Sequence, residues 1–182
     1  MLQNCNEYEI VLTLLKEESH IREIARKLKT NQTLVKRRLD ELYKENLVDY
    51  RVEGKNYTYF IKKSLEARSL VIMAESYNLM LFLKKYPKLK SIIKKIVDKE
   101  NIDMAILFGS YAKGTPSESS DIDIYIETED YNIKKEIESI DSRLSVKIGK
   151  YDRENLLIQE IEANHVIIKG IERFYDKNRF FS

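Results

Sequence analysis

The residues best placed to do chemistry in this sequence lie between positions 109 and 123. Gly109-Ser110 is followed, ten residues later, by Asp121-Ile122-Asp123. Two carboxylates at i and i+2 of a strand project to one face, near enough to share a hard divalent cation. Mg²⁺ suits them best, because it takes one or two protein carboxylates and completes its shell with water and phosphate oxygens. Upstream, Gly109 allows close backbone approach at a strand-to-helix turn, where Ser110 and the following amides can cradle the phosphates of a nucleoside triphosphate. Lys113 adds positive charge there. A metal so held would neutralise a leaving pyrophosphate and orient in-line attack on the α-phosphorus.

The flanking sequence predicts the elements that must position these groups. Met104 to Phe108 is a continuous apolar run that stops at Gly109, as a buried strand does. Asp121 to Glu127 alternates strictly, with Ile122, Ile124 and Ile126 on one face and Asp121, Asp123 and Tyr125 on the other. A helix over about 132–144, a strand over about 145–150 and a helix over about 153–169 complete this part of the chain. Before it, residues 64–86 read as one long helix with a wide apolar face, ended by Pro87. A further helix over about 89–100 is lysine-rich on its outer side.

Gly-Ser and Asp-x-Asp at this spacing, with an apolar strand before the first and an alternating strand carrying the second, resemble the signature of the minimal nucleotidyltransferases, a compact branch of the DNA polymerase β superfamily. The resemblance covers about residues 89–176. It implies a small mixed sheet flanked by helices, Asp121 and Asp123 as catalytic metal ligands, and Gly109, Ser110 and Lys113 at the nucleotide. It further implies Mg²⁺, ATP as the expected substrate, and transfer of NMP to a protein or nucleic-acid acceptor, with a HEPN-type toxin as one concrete partner in an antitoxin-like role. Active members of the family usually carry a third carboxylate on a later strand, and here Lys147 occupies the matching position. Either Lys147 pairs with Asp121 or Asp123 and replaces a metal electrostatically, leaving a nucleotide-binding or purely structural domain, or Asp141, Glu127 or Asp152 supplies the acid.

The first third of the chain reads differently. Tyr8, Val11, Leu12 and Leu15 mark an amphipathic helix over 6–17, and Ile21, Ile24, Ala25 and Leu28 a second over about 20–28, with Ser19 placed to cap it. A third, about 32–45, buries Val35, Leu39 and Leu42. Strands over 47–52 and 57–61 follow, joined by the Glu53-Gly54-Lys55-Asn56 turn. Three helices and a two-stranded wing resemble the winged helix-turn-helix family over residues 6–63. That resemblance implies double-stranded DNA as partner, with Gln32, Thr33, Lys36 and Arg37 entering the major groove and Arg51 and Lys55 on the wing meeting the backbone.

Charge supports two modules. Lys and Arg outnumber Asp and Glu 13 to 10 over residues 1–63 and 8 to 3 over 64–99, whereas acids outnumber bases 17 to 11 over 100–182. Between His20 and Arg38 stand seven basic residues and one acid, the concentration that phosphate contact needs. The expected organisation is α+β: a winged helix-turn-helix domain at 1–63, a linker and dimerisation helix at 64–88 favouring a homodimer, and a nucleotidyltransferase domain at 89–182. A single cysteine, Cys5, excludes an intrachain disulfide, and with only His20 and His165 besides there is no Cys/His metal cluster, so these histidines are read as cap or packing residues. No apolar run reaches a membrane span and the first residues lack the pattern of a secretory signal, so a cytoplasmic location without membrane contact is the expectation.

Overall fold

The structure, a computed structural model, describes residues 7–54 and 56–181. It divides into two compact units, one reaching as far as Tyr77 and the other covering Asn78–Phe180. No helix among the described residues is long and apolar enough to cross a membrane.

In the first unit α1 (Glu7–Lys16), β1 (Ser19–His20), α2 (Ile21–Lys27), α3 (Gln32–Lys44), β2 (Val48–Glu53) and β3 (Asn56–Ile61) follow in order. β3 is central in a three-stranded antiparallel sheet, between β1 and β2. Ile10, Val11 and Leu14 of α1, Ile24 and Ala25 of α2, Val35, Leu39 and Leu42 of α3 and Val48, Tyr59 and Ile61 of the wing are buried together as its apolar set. This helix, turn, helix, wing arrangement is the winged helix-turn-helix fold. The break between α2 and α3 is made locally: Lys29 takes a positive φ of 51°, and the Asn31 side chain accepts from Leu34 N at 2.8 Å to cap α3.

One expectation fails here. Ser19 is no helix cap; it is buried in β1, opposite Tyr59, and its hydroxyl donates to Glu17 O at 3.4 Å. His20 stands at the N-cap of α2 without a side-chain cap hydrogen bond. The two-residue strand has no periodicity to reveal it, since it exists only through long-range pairing with β3.

α4 (Leu65–Lys85) runs from the first unit into the second, and the chain then turns at Pro87–Leu89 into α5 (Lys90–Val97). The second unit continues with β4 (Ala105–Leu107), α6 (Gly109–Lys113), β5 (Ile122–Glu127), α7 (Tyr131–Glu138), β6 (Leu144–Gly149), α8 (Leu156–Ala163), β7 (Val166–Lys169) and α9 (Ile171–Lys177). Its sheet has the order β6-β5-β4-β7 and is mixed: β5 and β6 are parallel, the other neighbours antiparallel. Parallel pairing requires a crossover, which α7 supplies. Ile122, Ile124 and Ile126 share one core with Ile92, Ile93 and Ile96 of α5 and Ile133 and Ile137 of α7. On the opposite face Tyr125 is buried, its ring 6.4 Å from Tyr151, which stacks edge-on against Phe174 of α9.

The expected single helix over 153–169 is wrong. It ends at Ala163, Asn164 turns extended, and Val166–Lys169 pairs with β4. The Val-Ile-Ile run is β-branched and buried on both faces, which a covered edge position beside β4 rewards and a surface helix does not. The helix expected over 132–144 likewise stops at Glu138, because Leu144 already belongs to β6. His165 is a packing residue as expected: Nδ1 lies 2.8 Å from Ile161 O and its ring 4.7 Å from that of Phe174.

Candidate functional site

β4 delivers the chain to Gly109, whose φ of +69° turns it sharply into α6. β5 lies beside β4, with Phe108 N donating to Asp123 O at 3.0 Å. That pairing sets the Asp123 carboxylate against the Cα of Gly109. A Cβ at position 109 would fall inside van der Waals distance of Asp123 Oδ2 and 3.2 Å from its Cγ, so only glycine leaves the carboxylate its place. Ser110 and Lys113 follow on α6, and the loop back to β5 is held by Thr115 N to Ser110 O at 3.0 Å and by a turn closed between Ser117 and Ser120. Asp121 is exposed at the mouth of β5, one residue before the strand begins.

The electrostatics centre on Asp123. Burial pushes its carboxyl above the ordinary aspartate range; a hydrogen bond from Ser145 opposes this, Asp121 adds to it, Lys147 opposes it and Glu160 adds to it. The parallel register explains the roles on β6. Ser145 lies opposite Asp123, while Lys147 lies opposite Tyr125, one step further along the same face, exposed. Lys147 therefore attracts Asp123 without displacing Ser145 as its hydrogen-bonding neighbour.

The three acids considered as replacements are all engaged elsewhere. Asp141 is held down to about 2 by hydrogen bonds from the Arg143 side chain and backbone. Burial disfavours the charge on Glu127, but Lys177 and Arg173, each at 2.7 Å, outweigh it and hold the carboxyl below its usual range. Asp152 accepts from Glu154 N at 3.0 Å in a local turn. The acid that does approach is Glu160 of α8, which sequence reasoning missed; its carboxylate takes Lys113 Nζ at 2.8 Å. Glu160 lies inside the segment misread as one long helix, and no short-range pattern singles it out.

Among the described residues no group of three or more His, Cys, Asp and Glu side chains is arranged to hold a metal ion by itself. Asp121 and Asp123 nonetheless fit Mg²⁺ as a hard two-carboxylate set beside a glycine whose missing side chain leaves room for the Asp123 carboxylate, with the remaining ligands left to water and phosphate.

In the first unit the residues expected to meet DNA sort into two groups. Arg37 is exposed and makes no ion pair among the described residues, and Gln32 and Thr33 are exposed on the first turn of α3. Lys36 is paired with Asp40 at 2.9 Å. Arg51 is bound to Glu18 and lies 5.1 Å over the Phe60 ring. Lys55 lies outside the described residues. The β1–β3 pairing adds a feature the sequence did not disclose: a cleft of about 320 Å³ at the head of α3, lined by His20, Ile21, Arg22, Gln32, Asn56 and Tyr57. Arg22, Gln32, Asn56 and Tyr57 bring hydrogen-bond donors to it and no acid lines it, and Arg22 has no ion pair among the described residues.

Residues 90–179 match the family model described as polymerase beta, nucleotidyltransferase. No curated protein matches the chain. Among solved structures, the chain is similar to the homodimeric winged helix-turn-helix DNA-binding domain of a possible ArsR-family transcriptional regulator from Mycobacterium bovis, at 22% identity over 46% of this chain and 73% of that one, TM-score 0.35. The transcriptional repressor BigR from Xylella fastidiosa is similar at 15% identity over 46% and 74%, TM-score 0.33. The adhesin competence repressor AdcR from Streptococcus pyogenes is similar at 19% identity over 52% and 78%, TM-score 0.35. At these scores the N-terminal fold stands on its own topology. Residues 90–179 belong to the polymerase beta nucleotidyltransferase family, and they follow a winged helix-turn-helix unit in the same chain.

Proposed function

We propose that this protein binds double-stranded DNA through its first unit and, through its second, transfers NMP from a Mg²⁺-bound nucleoside triphosphate to an acceptor. The observation that carries the second half is the Asp123 carboxylate seated on Gly109, with Asp121 close enough to raise its affinity for a proton. Asp121 and Asp123 would hold the cation, which when bound supplies charge neutralisation for the departing pyrophosphate. Ser110 and the α6 amides orient the triphosphate, and Lys113 binds its charge. The family resemblance supplies one acceptor class, a HEPN-type protein partner, in an antitoxin-like pairing. Incubation with α-labelled ATP, CTP, GTP or UTP, Mg²⁺ and protein or RNA acceptors tests this reading. Label transfer that Asp121→Ala and Asp123→Ala abolish supports it.

A second reading rests on Lys147. A cation on the face of Asp123, with no third carboxylate on β6, suits a regulator whose nucleotidyltransferase domain binds nucleotide or mediates assembly without transfer. Nucleotide binding with no label on any acceptor would favour it.

For DNA, the cations without an ion pair among the described residues, rather than the paired ones, carry the expectation. Arg22→Ala with Arg37→Ala should weaken duplex binding and lower the salt slope by about 0.9 for each phosphate no longer neutralised, whereas Lys36→Ala should change it less. Equal slopes for wild type and the double variant in a salt titration would refute this docking face. α4 exposes Leu65, Met73, Met80 and Leu81. Such residues favour a homodimer along this helix, in line with the organisation expected from the sequence; a strictly monomeric mass in light scattering across working concentrations would count against it.

A further inference from the structure

The family's third acid is absent from β6, yet the face of the sheet that carries Asp123 is not short of carboxylates. Asp123 and Tyr125 project to the face on which Tyr151 and Phe174 pack. α8 is tied to that same face, because Tyr151 donates to Glu162 Oε1 at 2.8 Å. Glu160 stands two residues earlier on α8 and reaches Lys113 of the glycine-serine helix. Asp141, Glu127 and Asp152 are committed to other partners, whereas Glu160 meets the glycine-serine helix directly, 2.8 Å from Lys113 Nζ.

We infer that Glu160, carried by helix α8, is the acid that serves this site in place of a strand carboxylate: it and the triphosphate compete for Lys113, and once Lys113 turns to phosphate Glu160 accepts the acceptor's proton. This rests on the nucleotidyl-transfer reading. In the step, the acceptor hydroxyl oxygen bonds to the α-phosphorus, and its proton passes to a Glu160 oxygen. The bond from the α-phosphorus to the bridging oxygen breaks, and pyrophosphate leaves with that electron pair. Asp121 and Asp123 would be occupied by the cation, and Lys147 is a cation itself; Glu160 is exposed, and its present partner is one that phosphate would draw away. Lys113 would then serve two groups in turn, which accounts for a lysine and a glutamate from distant segments meeting beside the motif.

The competition makes binding and turnover move in opposite directions. Glu160→Gln keeps the helix and the side-chain shape but releases Lys113, so Mg·ATP measured by calorimetry should bind about 3- to 10-fold tighter, while pyrophosphate release from ATP falls about 10²-fold or more. Glu160→Asp should recover part of the turnover. Lys113→Ala should weaken Mg·ATP binding, and in Lys113→Ala with Glu160→Gln the tightening should vanish. Wild-type affinity and turnover in Glu160→Gln would overturn the inference while leaving the transfer reading intact. A wild-type protein that binds Mg·ATP but releases no pyrophosphate with the protein or RNA acceptors present would overturn the catalytic role of Glu160, and one that binds no Mg·ATP, with Asp123→Asn no different, would remove the reading beneath it.

Discussion

Asp123→Asn should abolish nucleotidyl transfer and, at neutral pH, make the protein more stable. Loss of one of two cation-holding carboxylates is expected to lower transfer by about 10³-fold or more, since the developing charge on pyrophosphate is then uncompensated. The stability effect has the opposite sign for a definite reason. Burial, with Asp121 and Glu160 adding, raises the Asp123 carboxyl above its unfolded value, so the folded state prefers the protonated form. A group with a raised folded pKa favours the fold fully below its unfolded pKa and loses that contribution as pH rises through the folded pKa. At pH 7 the carboxylate is therefore a liability that asparagine removes, and the Tm of Asp123→Asn should exceed wild type there, with the advantage shrinking toward nothing below about pH 4. Thermal melts across that range, set beside the transfer assay, check both halves. A variant less stable than wild type at pH 7 would mean that the carboxylate is held by stabilising bonds rather than strained by burial.

Gly109→Ala should damage both site and fold. A φ of +69° costs an alanine roughly 1 kcal/mol or somewhat more, and the new methyl group enters the space of the Asp123 carboxylate. The carboxylate must rotate away or the strands must part. A total cost of about 2–4 kcal/mol and a loss of transfer of about 10²-fold are expected. Gly114→Ala is the internal comparison. Its φ of +76° is as unfavourable, but the nearest obstacle is the movable Lys85 Nζ at 3.0 Å, so its cost should stay near the backbone contribution alone. Equal Tm values and equal transfer for the two variants would mean that the approach of Asp123 to Gly109 has no functional weight.

Much of the architecture was legible because it is written in local patterns. The helical spacing in α1 and α3, Pro87 after α4 and the alternation through Ile122, Ile124 and Ile126 each have a cause within a few residues. β1 and β7 were not legible for the complementary reason. Ser19–His20 becomes a strand only when β3 lies beside it, and Val166–Lys169 leaves helical form because β4 offers a buried edge. Both misreadings concealed candidate residues: the first hid the His20 and Arg22 cleft at the head of α3, the second the separate helix that carries Glu160.

The spacing of Gly109-Ser110 and Asp121-x-Asp123 by itself determined the chemistry to look for, because carboxylates two apart on a strand and a glycine at a strand end have few other uses in combination. Which further groups share that chemistry was decided only by tertiary structure. Strand register assigned Ser145 rather than Lys147 to Asp123, and the packing of α8 brought Glu160 to Lys113 across 47 residues. Side-chain electrostatics act over a few ångströms of space and take no account of distance along the chain.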